Sequence, residues 1–229
     1  MKTFRLIQSG FCDAVTNMAI DEALVLSYRQ GISLPTLRLY GWRPAAFSLG
    51  YSQIPEKVLD LDACRQEGIS FVRRPTGGGA LFHDKELTYS VILSASDIGT
   101  GRDVKAGFEK ITSFLIAAYT MLGLGACFAK DHGLAGSGGI ADFCFSRKEE
   151  YDILVAGRKL GGNAQRRKKD IILQHGSIPF TFDKNRVRRF LKDQEALDSL
   201  DVTSLDEAAG GRVDFKSLSD ALIEAFRQI

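Results

Sequence analysis

The stretch EYDILVAGRKLGGNAQRRKKDIILQHGSIPF, residues 150–180, indicates a functional site around which the rest of the chain is organised. Two apolar runs typical of strands, 151–156 and 171–173, flank a segment with two basic clusters, three glycines and Lys159. That intervening segment is too polar to belong to a core. We therefore predict a pair of strands joined across a working site, with the rest of the chain forming scaffold, pocket and lid around it.

A cysteine precedes this stretch. Cys144 lies between two phenylalanines, fifteen positions before Lys159. A free thiol has a pKa of about 8.5, and a neighbouring ammonium lowers that pKa by favouring the thiolate. If folding brings the two groups together, they suit thiolate chemistry on an acyl group. From the residues alone two alternatives stay open: Cys144 as a buried hydrophobe, and Lys159 as an exposed lysine of a hairpin, beside Arg158.

Composition sets the outer limits. The 229 residues are 45% hydrophobic and 25% charged, which is ordinary for a globular protein, and we expect one domain over residues 1–229. The net charge of +2 gives no field that would favour nucleic acid or a membrane, and no apolar run approaches a transmembrane length. The four cysteines form no C-x-x-C pair and no signal peptide precedes them, so we expect reduced thiols in the cytoplasm.

Hydrophobic periodicity predicts the remaining elements. Runs typical of strands lie at 4–9, 37–40, 46–50, 69–73, 87–93, 127–129 and 174–178. Helical spacing predicts helices at 14–29, 58–67, 104–122, 185–192 and 218–228. In the first of these helices, Asp21 and Glu22 are assigned to the polar face. We expect one hairpin joining 37–40 to 46–50, a second spanning 71–93, and a mobile segment at 131–141.

These elements indicate the fold class. Hairpins with interspersed helices, and no regular β-α-β alternation, indicate an α+β fold with a mixed, mostly antiparallel sheet flanked by helices. The connection inside the second predicted hairpin, RRPTGGGALFHD at 73–84, has three successive glycines. Such a run costs backbone entropy that a plain connection would not need. We therefore expect its backbone to approach a ligand closely or to adopt positive φ.

Five pieces of the chain, taken together, resemble the family of lipoate-protein ligases and octanoyltransferases, relatives of biotin-protein ligases. The pieces, in family order, are NMAIDEAL at 17–24, RRPTGGG at 73–79, HD and ELTYS within 83–90, GRKL and GNAQ within 157–165, and HGSI at 175–178. The FCF triplet at 143–145 further resembles the octanoyl-[acyl carrier protein]:protein N-octanoyltransferases of the LipM type. The GGGA run at 77–80 is nearer to ATP-dependent lipoate-protein ligases.

The resemblance implies the class II biotin/lipoyl ligase catalytic domain, here without a C-terminal accessory domain. It implies transfer of an octanoyl or lipoyl group from acyl carrier protein to a lysine of a lipoyl-domain or glycine-cleavage H-type protein, through a Cys144 thioester and without a cofactor. The alternative is an ATP-dependent lipoate-protein ligase, which would use ATP and Mg. A third hypothesis is a lipoyl-binding protein that has lost turnover. No nucleic acid or membrane partner is expected.

The resemblance also implies a set of site residues. Cys144 and Lys159 are the catalytic candidates. The substrate-binding candidates are Arg73, Thr76, Gly77, Gly78, Gly79, His83, Gly162, Asn163, Ala164, His175 and Gly176. His83 has the alternative of a base oriented by Asp84, although neighbours on a strand point to opposite faces.

Three further expectations concern the surroundings of that site. An eight-carbon chain needs an apolar tunnel, for which the candidate lining residues are Tyr40, Leu81, Phe82 and Val155, each with ordinary core as the favoured alternative. The basic run at 166–169 is either a solvated face or a docking surface for the acidic carrier protein. No two His or Cys stand at ligand spacing, so no metal is expected.

Overall fold

The computed structural model describes residues 3–132, 149–198 and 200–229. Its strands are β1 (Arg5–Cys12), β2 (Thr36–Trp42), β3 (Ala46–Leu49), β4 (Ser70–Arg73), β5 (Leu81–His83), β6 (Glu86–Ser94), β7 (Ala126–Phe128), β8 (Ile153–Val155), β9 (Arg158–Leu160), β10 (Gly162–Lys168), β11 (Ile171–Pro179) and β12 (Val202–Thr203). Its helices are α1 (Ala14–Arg29), α2 (Pro55–Val58), α3 (Leu61–Gln66), α4 (Val104–Met121), α5 (Lys184–Arg188), α6 (Leu205–Ala209) and α7 (Phe215–Phe226). Short 3₁₀ turns occupy Ala129–His132 and Glu195–Leu197.

The largest sheet has the strand order β1-β2-β6-β11-β10. Strands β1 and β2 run parallel, and the other three pairs are antiparallel. Strand β6 lies in the middle, and adjacent residues on it face opposite sides: Val91 joins one apolar cluster and Ile92 another. Both faces of the sheet must therefore be covered.

Helices cover the two faces. Helix α1 packs on one side, where its Leu24 meets Ile92 and Leu173. Helices α4 and α7 cover the other side with apolar stripes that include Leu115 and Leu222, both fully buried. Full burial of one such leucine contributes about 1.5–3 kcal/mol. The three helices begin at aspartate N-caps, Asp13, Asp103 and Asp214, whose side chains accept the exposed N–H groups of the first turn.

Two smaller sheets position the functional segments. The order β12-β9-β8-β7 places Lys159 on β9, one residue before the strand ends. The order β4-β3-β5 makes β3 the centre strand, and the triple-glycine connection runs from β4 to β5. Among the described residues, six strand pairs are antiparallel and three are parallel. The predicted α+β class with mixed, mostly antiparallel sheet is confirmed.

Both predicted hairpins are wrong. Strand β2 pairs with β1 and β6, while β3 pairs with β4 and β5, so the two runs leave the Arg43–Pro44 turn for different sheets. Strand β4 also fails to pair with β6, because it lies parallel to β3. The buried apolar residues of β3 find partners on both sides of that strand, and this packing overrides neighbourhood along the chain.

Several helix boundaries differ from the predicted ones. The helix expected at 58–67 is two short helices, because the chain is extended at Leu59 and Asp60 then caps α3. The helix expected at 185–192 is the five-residue α5. In the described parts of the chain, no helix combines the length and the apolar character that a membrane crossing needs. Residues 133–148, with Cys144 and most of the segment expected to be mobile, lie outside the described residues. A single domain over residues 1–229 stays a prediction.

Candidate active site

A pocket lies where α1, β2, β5, β10 and β11 converge. It holds about 350 Å³ of space, part of which is open to solvent. Its apolar side is formed by Met18, Tyr40, Trp42 and Leu81. This apolar side is suited to contact with an aliphatic chain.

Six of the predicted binding residues line this pocket: His83, Gly162, Asn163, Ala164, His175 and Gly176. Of the four residues predicted to line an apolar tunnel, Tyr40 and Leu81 do so. For the other two, the favoured alternative of ordinary core is confirmed. Phe82 packs against Phe47 and Phe190 in a separate cluster, and Val155 belongs to the main core under α4.

The second arginine of the RRPTGGG segment, Arg74, organises the glycine connection. Its buried guanidinium donates to the carbonyls of Ser48, Gly77 and Gly79 at 2.9, 2.7 and 2.7 Å, and it lines the pocket. A Cβ at Gly50 would lie 1.9 Å from the carbonyl oxygen of Gly78, so the loop closes directly onto the end of β3. Arg74 was not among the predicted site residues, although an arginine beside three glycines is a visible signal.

The first arginine, Arg73, was predicted to bind substrate. The structure directs its guanidinium to the carbonyls of Gly50, Tyr51 and Gln53 instead. Those bonds fix the turn after β3. Arg73, Thr76 and the three glycines 77–79 do not line the pocket. They lie on or beside the loop that Arg74 ties to the pocket wall. A role in substrate binding for these residues stays a prediction.

Thr76 reaches the pocket through His175. Its Oγ1 lies 2.6 Å from Nε2 of His175, and the other ring nitrogen lies 3.8 Å from Oδ2 of Asp21. Burial lowers the pKa of His175, and the nearby carboxylate of Asp21 only partly opposes this. A neutral imidazole therefore connects the glycine loop to β11 and α1.

Asp21 is fully buried, so its assignment to the polar face of α1 is wrong. Its carboxylate accepts hydrogen bonds from Arg38 at 2.7 Å, Ser90 at 2.8 Å and Tyr40 at 3.0 Å. Burial alone would raise the pKa of Asp21, but the neighbouring His175 ring and the charge of Arg38 outweigh it and leave the pKa below its ordinary value. Buried charges are tolerated when they are paired in this way.

His83 stands in a second polar cluster beside the pocket. Its Nδ1 lies 2.8 Å from Oε1 of Glu86, its Nε2 lies 2.7 Å from Oγ of Ser48, and its ring stacks on Trp42 with centroids 3.8 Å apart. Asp84 does not orient it, since that carboxylate pairs with Arg186. The alternative of a base oriented by Asp84 is therefore wrong, and His83 shapes the pocket wall.

Lys159 is buried, so it is not an exposed hairpin lysine. Its Nζ lies 2.7 Å from Oδ2 of Asp152, and the same carboxylate oxygen accepts the backbone N–H of Glu149 at 2.7 Å. Glu149 is where the described chain resumes, five residues after Cys144. Five residues span at most about 18 Å. The meeting of the Cys144 thiol with the Lys159 ammonium stays a prediction.

Within the described ranges, no group of three or more His, Cys, Asp or Glu side chains is arranged to hold a metal ion. The described cysteines Cys12, Cys64 and Cys127 are free thiols. The site has an apolar pocket lined by a neutral histidine, while the glycine loop and the buried Lys159 lie outside the pocket lining. This set is suited to acyl chemistry.

The family model of the lipoyl protein ligase A/B catalytic domain matches residues 13–227. The chain belongs to this family. The chain is 42% identical to the octanoyltransferase LipM of Geobacillus kaustophilus, and the match covers 80% of this chain and 67% of that protein. It is 40% identical to the octanoyltransferase LipM of Kyrpidia tusciae, over 100% of this chain and 87% of that protein. The predicted resemblance to the LipM type is confirmed.

The fold comparison agrees with the family. A solved bi-partite lipoate protein ligase from Thermoplasma acidophilum, studied with its E2 lipoyl domain, is 25% identical and superposes with a TM-score of 0.78. The match covers 100% of this chain and 84% of that one. The predicted likeness to the lipoyl ligase catalytic domain is confirmed.

Proposed function

We propose that the protein is an octanoyltransferase of protein lipoylation. It takes an octanoyl group from acyl carrier protein and transfers it to a lysine of a lipoyl-domain or H-type protein. The relatives named octanoyltransferase LipM, at 40–42% identity, support this activity. The cytoplasm is the proposed location, because a catalytic thiol must stay reduced.

One observation carries the proposal. The pocket has an apolar side formed by Met18, Tyr40 and Trp42, and β10 also lines it. A single residue separates β10 from β9, the strand that carries the buried Lys159. Each buried CH₂ contributes about 0.8 kcal/mol, so the alkyl part of an octanoyl group contributes roughly 5 kcal/mol to binding. In this proposal the carbonyl of the bound chain lies along β10, where the nucleophile must reach it.

The reaction has two steps, acylation of Cys144 and transfer of the acyl group to the acceptor lysine. The thiolate attacks the carbonyl carbon of the donor thioester, a new C–S bond forms, and the carrier leaves as a thiolate that takes up a proton. The acceptor lysine, as a neutral amine, then attacks the enzyme thioester, an amide C–N bond forms, and the amine proton and the Cys144 thiolate are released. No external cofactor is needed, because the energy of the thioester drives amide formation.

Lys159 has two roles in this scheme. Its ammonium favours the thiolate form of Cys144. It also stabilises the oxyanion of each tetrahedral intermediate, together with backbone N–H groups of residues 76–79. Loss of one oxyanion donor typically costs about 2.7–4 kcal/mol of barrier.

The second candidate is an ATP-dependent lipoate-protein ligase. The bi-partite ligase fold and the GGGA run at 77–80 favour it. ATP and Mg would then be substrates, and Lys159 would contact the acyl phosphate rather than a thioester. A lipoate-dependent release of pyrophosphate is the signature of this reaction.

The deciding experiment is intact-mass analysis after mixing with octanoyl-acyl carrier protein. We expect the mass of one octanoyl group on the wild type and on Cys127→Ser, a control thiol in β7, and a loss of the thioester adduct in Cys144→Ser. Full transfer to a lipoyl domain by Cys144→Ala would overturn the thioester route. Pyrophosphate release with lipoate and Mg-ATP, without loading from the carrier thioester, would establish the ligase instead.

A further inference from the structure

A second, larger groove lies between α1 and the β10–β11 hairpin and holds about 790 Å³, part of it open to solvent. Its floor is apolar: Val25 and Leu26 come from the helix, Ile171 and Leu173 from β11, and Pro75 from the glycine connection. Leu26 is 47% exposed, which leaves an apolar side chain in water. A partner that covered this floor would gain hydrophobic burial. We call this feature the basic groove because of its rim.

The rim of the basic groove is cationic. Arg29, Arg166 and Lys168 border it, against the single acid Glu22. The Arg166 guanidinium also stands over the ring of Tyr51, itself 60% exposed, at 4.8 Å. The whole chain has a net charge of only +2, so this is a local concentration of positive charge. Such a surface attracts an acidic partner and accelerates its docking.

The basic groove continues the acyl pocket along one sheet face. The pocket ends at the cross-strand pair Ala164–His175, and the next two pairs on the same face are Arg166–Leu173 and Lys168–Ile171. Side chains two residues apart share a face, and two residues of strand span about 6.7 Å. The basic groove therefore begins about 7 Å from the pocket wall.

We propose that the basic groove binds an acidic, partly apolar helix of the acyl carrier protein that delivers the octanoyl group. This inference rests on the proposed function. An apolar trough with one helical wall suits helix-in-groove recognition, in which apolar anchors meet the floor and carboxylates meet the rim. The donor is favoured over the acceptor because the acyl chain must enter the pocket while still attached to its carrier. The carrier must therefore stand beside the pocket.

The test compares two double variants with the same change of net charge. Arg29→Glu with Lys168→Glu reverses two exposed cations of the basic groove and leaves the pocket untouched. Arg5→Glu with Lys110→Glu reverses two exposed cations on β1 and α4. Arg166 is left in place, because it donates to the Pro75 carbonyl at 2.8 Å, next to Thr76. Circular dichroism and urea unfolding check that both variants are folded.

Octanoyl loading is measured from octanoyl-acyl carrier protein and from octanoyl-pantetheine, a small uncharged donor. We expect the groove variant to load from the carrier protein at least about tenfold more slowly than the wild type. The difference between the two loading rates should shrink as the salt concentration is raised. From octanoyl-pantetheine the groove variant should match the wild type within about twofold, as should the control variant from both donors. Equal losses in both variants, or a loss confined to transfer onto the lipoyl domain, would overturn the proposal.

Binding of fluorescently labelled holo-acyl carrier protein, measured by anisotropy, separates this proposal from the proposed function. If the wild type loads from neither donor, the octanoyltransferase activity is wrong. The basic groove then still stands if the carrier binds the wild type and the control but not the groove variant. Equal binding to all three proteins, or binding to none of them, would refute the docking surface whatever the activity.

Discussion

The ammonium of Lys159 and the carboxylate of Asp152 form an ion pair of 2.7 Å that is about nine-tenths buried or more on both sides. The same carboxylate accepts the backbone N–H of Glu149, where the described chain resumes after residues 133–148. One aspartate thus ties the proposed catalytic lysine to the segment that follows Cys144. Removing one member of a buried ion pair weakens the compensation of the other charge, which is more costly than removing both.

Asp152→Asn should therefore lower the free energy of unfolding by about 3 kcal/mol, and Lys159→Met added to it should recover part of that loss. Urea unfolding measures both. Glu150→Gln is the control, because it breaks the exposed Lys105–Glu150 pair and should leave stability nearly unchanged. If Asp152→Asn is no more destabilising than Glu150→Gln, the pair does not compensate a buried charge. The double variant should remain inactive, since it lacks the Lys159 ammonium.

The hydrogen bond of 2.6 Å between Thr76 and His175 joins the glycine loop to β11. Thr76→Val keeps the shape but removes the hydroxyl, which leaves a buried ring nitrogen without that partner at a cost of about 1–3 kcal/mol. Thr76→Ser keeps the hydroxyl and should stay close to wild type. We expect slower octanoyl loading in Thr76→Val only, measured by quenched mass analysis. A similar loss in Thr76→Ser would show that the methyl group, not the hydrogen bond, is what matters.

The pocket residues that the sequence predicts come from short motifs. Gly162, Asn163 and Ala164 are consecutive on β10, and His175 and Gly176 pair with two of them across the hairpin. Local pattern and motif order suffice to find such residues. The helix face of α4 and the class of the sheet were predictable for the same reason, because periodicity is a local property.

Sequence reasoning was wrong about Asp21 and did not select Arg74, because tertiary contacts decide where both side chains point. Asp21 is buried because Arg38, Ser90 and Tyr40 converge on it from two strands of the large sheet, which no period within α1 reveals. Arg74 looks like its neighbour Arg73 in sequence, and only the closure of the loop onto β3 decides which of the two reaches the pocket. The predicted strand pairing was wrong for the same reason, because the burial of the apolar residues of β3 determines which strands pair with it.

The burial of His175 makes stability depend on pH. Its pKa is lowered in the folded state, so below the unfolded value of about 6.5 the unfolded chain binds a proton that the folded chain does not. The stabilisation is fully present above about pH 6.5 and is lost as the pH falls toward the folded pKa, at no more than about 1.4 kcal/mol per pH unit. Urea unfolding between pH 7.5 and 5.5 should show the wild type losing more stability than His175→Gln. A constant difference between the two proteins would mean that His175 titrates normally.

Gly176 is the pocket position with the least room for a side chain. A Cβ there would lie 2.3 Å from Oδ1 of Asn163, 2.6 Å from Cε1 of Tyr89 and 2.8 Å from the carbonyl oxygen of Gly162. Asn163 accepts the hydroxyl of Tyr89 at 2.8 Å, so the contact strikes a fixed cluster rather than a free side chain. Gly176→Ala should displace β10 from β11, narrow the pocket and cost about 1–3 kcal/mol in unfolding free energy.

Gly125→Ala is the matched control for this substitution, because a Cβ at Gly125 meets nothing within 4 Å. It should be neutral or slightly stabilising, since alanine restricts the unfolded chain. Octanoyl loading should fall in Gly176→Ala and stay at the wild-type rate in Gly125→Ala, with urea unfolding reported for both. If Gly176→Ala is loaded with the octanoyl group at the wild-type rate, the acyl chain does not occupy the pocket between β10 and Met18, and another cavity must hold it.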